Sequence, residues 1–155
     1  MTDQSPDARP RVSPDALADD LSFLLARANA LSVGAGNRAL APFRLRVRSY
    51  SALAVAADAD QPTQREVADY LRLDPSQVVA LIDALEDRGL VRRETDPRDR
   101  RSKVVACTAE GRELVAQARV AVRDAERTLH ADLSEAERAT LSGLLQRLAF
   151  PRAEE

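Results

Sequence analysis

Only one cysteine is present, Cys107, so no intramolecular disulfide can form. Only one histidine is present, His130, so a Cys/His-rich metal site cannot be built within one chain. Nothing in the sequence motivates a carboxylate-built site instead, and neither metal nor cofactor is expected. Tryptophan is absent and aromatic residues make up 3% of the chain. An excess of positive charge is missing too: 23 Lys and Arg stand against 25 Asp and Glu, a net charge of −2. That balance argues against a general polyanion binder, and it leaves room for a local basic patch on an acidic body. No apolar run approaches the roughly 18 residues of a membrane span. The N-terminus lacks the basic-then-apolar pattern of a signal peptide. The expected location is therefore cytoplasmic, with no membrane partner. No Ser/His/Asp, Cys/His or phosphate-loop constellation appears, so the chain is not expected to be an enzyme.

What is present is enough hydrophobic residue, 45% of 155, for one helical domain with extensions. The stretch Gln61 to Thr108 organises it. Thr63 followed by Glu66 forms a capping box, and Val67 and Leu71 give the first helix its apolar face. Thr63, Gln64 and Arg65 fall on the exposed first turn, where backbone N–H groups suit a DNA phosphate. The turn Arg72-Leu73-Asp74 leads into a second helix, with Asp74 as N-cap and Pro75 at its first position. Val78, Leu81, Ile82 and Leu85 form the stripe that buries, and Gly89 ends the segment. Ser76, Gln77, Val79, Ala80 and Asp83 remain on the other face. In a DNA reader they would meet base edges, where Gln pairs with adenine and small apolar groups fit the thymine methyl. Taken alone, the pattern fits a helical hairpin of another fold equally well.

The segment after Gly89 narrows the choice. Leu90 to Glu94 and Lys103 to Thr108 read as paired strands around a polar tip, a basic wing. Arg98, Arg100, Arg101 and Lys103 are its candidate DNA contacts, since arginine suits a narrow minor groove. Asp99 is expected to structure the wing by holding an arginine through a paired hydrogen bond. On composition alone, a solvated charged loop remains the alternative. The order of these elements, with LEDRGLVRR and then DPRDRRSKVVACTAEGREL, resembles the multiple-antibiotic-resistance regulator (MarR) family of bacterial transcription factors. Asp96, Arg98, Asp99, Arg100 and Arg101 match that family's wing. Thr108 and Gly111 match its following helix start, with Cys107 where leucine is usual. The resemblance covers roughly Leu17 to Phe150. It implies a dimeric repressor or activator whose wing arginine, here Arg100 or Arg101, enters the minor groove.

The flanks read as helices. Residues 1–12 are expected to be disordered, and 13–42 to form an N-terminal dimerisation helix that starts at Ser13-Pro14 and carries Leu17, Leu21, Leu24, Leu25, Ala28 and Leu31. Gly34 and Gly36 either interrupt that helix or are absorbed by it. Residues 43–108 form the DNA-binding lobe, with Ser49 to Asp58 as the buried helix behind the reading pair. Residues 109–155 form C-terminal dimerisation helices, the last opened by a Ser134/Glu137 capping box. The predicted fold class is mainly α with a small β-hairpin: a winged helix-turn-helix plus terminal dimerisation helices. Apolar faces without a partner in one small lobe imply a homodimer, with Leu17 to Leu31 against Val115 to Phe150 of the second subunit. A dimer would place two reading helices about 34 Å apart on a palindromic double-stranded DNA operator.

A repressor also needs a release signal. The resemblance implies a small anionic or phenolic ligand between the dimer helices and the DNA-binding lobe. Arg44, Arg46, Arg48, Ser49 and Tyr50 map near that junction and are the candidate ligand contacts. The family's peroxide sensors use a cysteine near the start of the first helix, and this chain has none there. Cys107 reads instead as a small buried hydrophobe. The competing functional class is a winged-helix protein-interaction module without sequence-specific DNA binding.

Overall fold

The structure is a computed structural model that describes residues 16–151. Those residues form six α-helices and one two-stranded antiparallel sheet. In chain order they are α1 (Leu21–Leu40), a 3-10 turn (Ala41–Phe43), α2 (Val47–Asp58), α3 (Gln64–Leu71), α4 (Pro75–Glu86), β1 (Val91–Thr95), β2 (Lys103–Cys107), α5 (Ala109–Leu129) and α6 (Glu135–Ala149). The mainly helical class with a hairpin wing is the one expected from the sequence. None of the helices is long and apolar enough to cross a membrane.

The core is built around α2. Its small side chains, Ala52, Leu53 and Ala56, are buried and let neighbours approach from several sides. α1, α3, α4, α5 and β2 all pack on it. Val67 and Ala68 of α3, and Val78, Ile82 and Leu85 of α4, close the core from the reading side. Each branched side chain buried this way contributes about 2 kcal/mol. Val105 and Cys107 of β2 and Val115 and Ala118 of α5 complete it. α2 begins at Val47 rather than Ser49, because Arg46 takes the N-cap position and Ser49 returns a hydrogen bond to it.

α1 differs from its expected start. Asp20 caps it by accepting the Phe23 N–H at 2.7 Å, and Leu17 lies in a preceding turn. Ser13, Pro14 and the expected disordered segment 1–12 lie outside the described residues. Among the described residues Asp20 sets the start of α1. The helix then runs unbroken through Gly34 and Gly36. Each glycine costs roughly 1 kcal/mol in a helix interior, offset by packing of α1 along α5. Gly36 also has a steric role: a Cβ there would sit 2.8 Å from Val47 Cγ2 of α2.

The outer helices expose apolar side chains. Leu21, Phe23, Leu24, Leu25 and Leu31 of α1 and Leu141, Leu144, Leu145 and Leu148 of α6 are all exposed, as are Leu17 and Phe150 beyond them. The expected intersubunit surface needs one correction. Val115 and Ala118 are fully buried in their own chain, and the second half of α1 lies against its own α5. Among the described residues, the exposed leucines cluster on α1 as far as Leu31 and on α6.

Candidate nucleic-acid interface

Three local devices build the reading surface. Thr63 opens α3 through a reciprocal capping box: its hydroxyl accepts the Glu66 N–H at 3.2 Å, and Glu66 accepts the Thr63 N–H at 2.7 Å. Asp74 opens α4 by accepting the Ser76 N–H at 2.8 Å. α4 ends in a Schellman turn, with Leu90 N–H on Leu85 oxygen and Gly89 N–H on Glu86 oxygen; Gly89 takes the left-handed φ of 69° that this turn requires. α4 thereby presents Ser76, Gln77, Val79, Ala80 and Asp83 to the outside, and Val78, Ile82 and Leu85 to the core.

The wing pairs Val91 with Cys107 through to Thr95 with Lys103. Its root is tied to the lobe, because Val105 N–H donates to Pro62 oxygen at 2.8 Å. At its tip Arg98, Arg100, Arg101 and Lys103 are exposed. Asp99 does hold the tip together, but not in the expected way. It accepts the Arg101 backbone N–H at 3.0 Å and the Ser102 hydroxyl at 2.9 Å, and no guanidinium. A two-residue separation fits an aspartate to backbone turn better than to a long side chain. Asp96, buried beneath the tip, accepts the Arg98 N–H at 2.7 Å and lies 3.4 Å from Arg98 Nε. That N–H, above all, holds the Asp96 carboxyl below its ordinary pKa. Arg98 therefore leans back toward α3, and Arg100 and Arg101 carry the free charge of the tip.

Arg93, on β1, is the residue that sequence reasoning missed. Its guanidinium donates to Gln64 of α3 at 2.6 Å and to Asp83 and Glu86 of α4, and its backbone N–H donates to Glu86 at 2.7 Å. Burial works against this charge, but the two carboxylates outweigh it and raise the Arg93 pKa above the ordinary arginine value. One side chain thus fixes wing, recognition helix and the first turn of α3 as a single body. Two of the expected contacts are also held within the chain. Asp83 is engaged with the wing, and the Gln64 carbonyl is occupied. Arg65 remains exposed, with Asp69 at 3.9 Å. A second clamp, Arg88, donates to the carbonyls of Arg44 and Phe43 at 2.8 and 3.0 Å, joining the end of α4 to the corner between α1 and α2.

Of the candidate ligand contacts, the structure brings only Tyr50 to a cavity. A cavity of about 260 Å³ lies between α1, α2 and α5, walled by Val33, Leu40, Val47, Tyr50, Val122 and Leu129. Arg44, Arg46 and Arg48 are exposed, and none of them lines it. Arg44 sits in the left-handed turn before α2, Arg46 caps that helix, and Ser49 is committed to the same cap. Tyr50 also faces a wider cleft of about 640 Å³ between α2, α3 and Arg98. Among the described residues no group of three or more His, Cys, Asp or Glu is placed to hold a metal.

Comparison with known proteins gives this geometry a family. The MarR family description matches residues 45–102, which span the lobe and most of the wing. A crystal structure of a transcriptional regulator of that family from Rhodococcus sp. RHA1 is 44% identical, covers 88% of this chain and 98% of its own, and superposes with a TM-score of 0.83. The chain belongs to the MarR family. As a MarR-family chain it is a member of a family of transcriptional regulators. It is similar to CouR from Rhodococcus jostii RHA1, solved bound to p-coumaroyl-CoA, at 45% identity over 90% of this chain and 99% of that one, with a TM-score of 0.81. It also resembles a putative transcriptional regulatory protein for the hcr operon of Thauera aromatica, 37% identical over 99 residues. That match takes in 64% of this chain and spans 60% of the Thauera protein's length.

Proposed function

We propose that the protein is a dimeric, sequence-specific DNA-binding repressor that occupies a palindromic operator and is released by a small aromatic ligand. The observation that carries this reading is the single rigid body made by Arg93. The exposed face of α4 and the exposed Arg100 and Arg101 are held in one fixed relation, as reading adjacent grooves of one duplex demands. Ser76, Gln77, Val79 and Ala80 face base edges. Arg65 and the N–H groups at the start of α3 face phosphate, and Arg100 and Arg101 enter the minor groove. Asp83 serves as a positioning group for the wing. Two copies join through the exposed leucines of α1 and α6, which sets the half-site spacing. Repression is steric, by occupancy of a promoter.

The ligand enters the cavity between α1, α2 and α5. Leu40 and Val47, which flank the corner held by Arg88, both line it. A ligand there releases DNA only by binding the non-reading state more tightly. The p-coumaroyl-CoA bound by CouR makes an aromatic acid or its thioester the ligand class to test.

The experiment is fluorescence anisotropy with DNA from just upstream of the protein's own gene, at two salt concentrations, for the natural chain and for Arg100→Ala/Arg101→Ala. The expected result is salt-sensitive binding, weakened at least tenfold in the variant with the dimer intact. Each neutralised phosphate steepens the slope of log K against log salt by about 0.9. If neither that DNA nor any sequence recovered by random selection is bound by the folded dimer, the protein-interaction reading replaces this one.

A further inference from the structure

We infer that Arg72, at the turn between α3 and α4, is a phosphate contact of the DNA interface, and that it binds the strand opposite the one met by the first turn of α3. The inference rests on the reading of α3 and α4 as the DNA-binding pair, and it deepens that reading with a residue outside both the reading face and the wing.

The observation is a strained helix end. α3 closes in a Schellman turn: Leu73 N–H donates to Ala68 oxygen at 3.0 Å, and Arg72 N–H to Asp69 oxygen at 3.3 Å. The residue at the centre of such a turn is left-handed, and Arg72 has φ 53° and ψ 43°. α4 closes in the same turn with Gly89, which meets no steric penalty there. The chain thus places glycine at the end of one helix of the pair and a strained arginine at the end of the other. Nothing that the Arg72 side chain does within the chain offsets this strain. It is exposed, and among the described residues it makes no ion pair and no side-chain hydrogen bond. A strained residue whose side chain has no partner in its own chain points to a partner outside it.

Its position names that partner. The two helices of a helix-turn-helix cross at about 90–120°, so with α4 along the major groove α3 lies across it. Eight residues at about 1.5 Å each make α3 about 12 Å long, and the groove is about 12 Å wide. With Arg65 and the first-turn N–H groups on the phosphates of one strand, the end of α3 stands level with those of the other. That end is otherwise hostile to phosphate. It carries the negative end of the helix dipole, and the exposed Asp69 and Asp74 flank it. Arg72 is the one cation between them in the chain. A phosphate contact carries no base information, so its loss weakens all sequences alike. Counterion release sets the size: one contact changes the salt slope by about 0.9 and at 0.1 M salt contributes about eightfold, or about sixtyfold for the two in a dimer.

The test compares Arg72→Gly, Arg72→Asn and Arg72→Lys with the natural dimer, by urea unfolding and by anisotropy over a range of salt on a duplex that the natural chain selects from random sequence. Glycine and asparagine both accept the left-handed turn, and asparagine does so without the added freedom of glycine. Both variants should unfold at a urea concentration equal to or above that of the natural chain. Both should lose at least tenfold in affinity, flatten the salt slope by about 1.8 and select the same base sequence. Lysine keeps the charge and should keep the slope. Unimpaired stability with weakened binding is the combination that a purely structural Arg72 would not give. The inference alone is overturned if the natural dimer binds and the folded glycine and asparagine variants bind within twofold of it with the same slope, or if the lysine variant loses slope as they do. If the natural dimer binds no DNA at all, the repressor reading falls and this inference falls with it.

Discussion

Replacing Arg93 with methionine keeps the side-chain stem and removes the guanidinium. In the natural protein that group, 23% exposed, bonds Gln64, Asp83 and Glu86 at once. The loss has three parts. The pair with Asp83, itself 56% exposed, contributes about 0.5 kcal/mol after solvent screening. The bonds to Glu86 and Gln64 are better shielded and contribute about 1 kcal/mol each. Glu86 keeps the N–H of residue 93 as a partner, so the variant should lose about 2–3 kcal/mol and still fold.

DNA affinity should fall even where the variant is fully folded, for two reasons. Two carboxylates on the recognition helix lose their counter-charge close to phosphate, and the wing loses its fixed angle to α4. The expected loss is ten- to a hundredfold, measured by anisotropy at a temperature where circular dichroism shows the variant fully folded. A triple variant, Arg93→Met/Asp83→Asn/Glu86→Gln, separates the two causes because it removes the repulsion and leaves the angle free. If the triple variant binds as tightly as the natural protein, Arg93 acts only as a counter-charge and the rigid-body argument is wrong. If Arg93→Met alone binds within threefold and unfolds within 0.5 kcal/mol of the natural chain, the whole account of Arg93 fails.

Gly111→Ala would place a Cβ 2.1 Å from the Leu90 carbonyl oxygen and 2.9 Å from Cys107 Sγ. Backbone cannot yield cheaply there, so about 2–3 kcal/mol should be lost, read as a lower urea midpoint; an unchanged midpoint would refute the packing argument. Burial pushes the Cys107 thiol pKa up and leaves the residue 4% exposed. A thiol reagent at pH 8 should therefore label it only as fast as the protein opens, and prompt stoichiometric labelling of the native dimer would contradict this. The capping carboxylates Glu66 and Glu137 are held below the ordinary value of 4.5, Glu66 by the Thr63 N–H and then its hydroxyl, Glu137 by the Ser134 hydroxyl and then its N–H. A folded-state pKa below the unfolded one means that the unfolded chain binds protons first. Their contribution is therefore full above about pH 4.5 and is lost as pH falls through the folded values. Glu66→Gln should flatten the acid limb of the stability curve, and an unaltered limb would mean the cap does not carry it.

What was legible in the sequence was local. Both capping boxes, the two wing strands and the buried small-residue helix follow from spacings of two to four residues, and the structure has them; of the stripe, Val78, Ile82 and Leu85 are buried and Leu81 is only half-buried. Whether α1 continues through Gly34 and Gly36 could not be read, because the answer lies in its packing against α5, which starts at Ala109, far along the chain. The candidate ligand arginines lie outside the cavity for a related reason. Closeness in sequence to the α1–α2 corner does not aim a side chain at a cavity, and the left-handed turn at Arg44 and the cap at Arg46 leave both exposed.

Arg93 is the instructive omission. In sequence it is one base among several in and beside the wing, with no assigned role, and its partners lie 7, 10 and 29 residues away. The signal that could have found it was on α4, not on β1. Asp83 and Glu86 put two acids on a helix meant to approach phosphate, a placement that no local rule favours. An acid pair on a DNA-reading helix requires a cation from another element, and the only arginines whose strand runs past that helix are those of β1. Of these, Arg92 pairs with Glu94 on its own strand, which leaves Arg93. A residue that contradicts its element's apparent purpose is therefore the place to look for a tertiary partner, because the contradiction persists only if something distant resolves it.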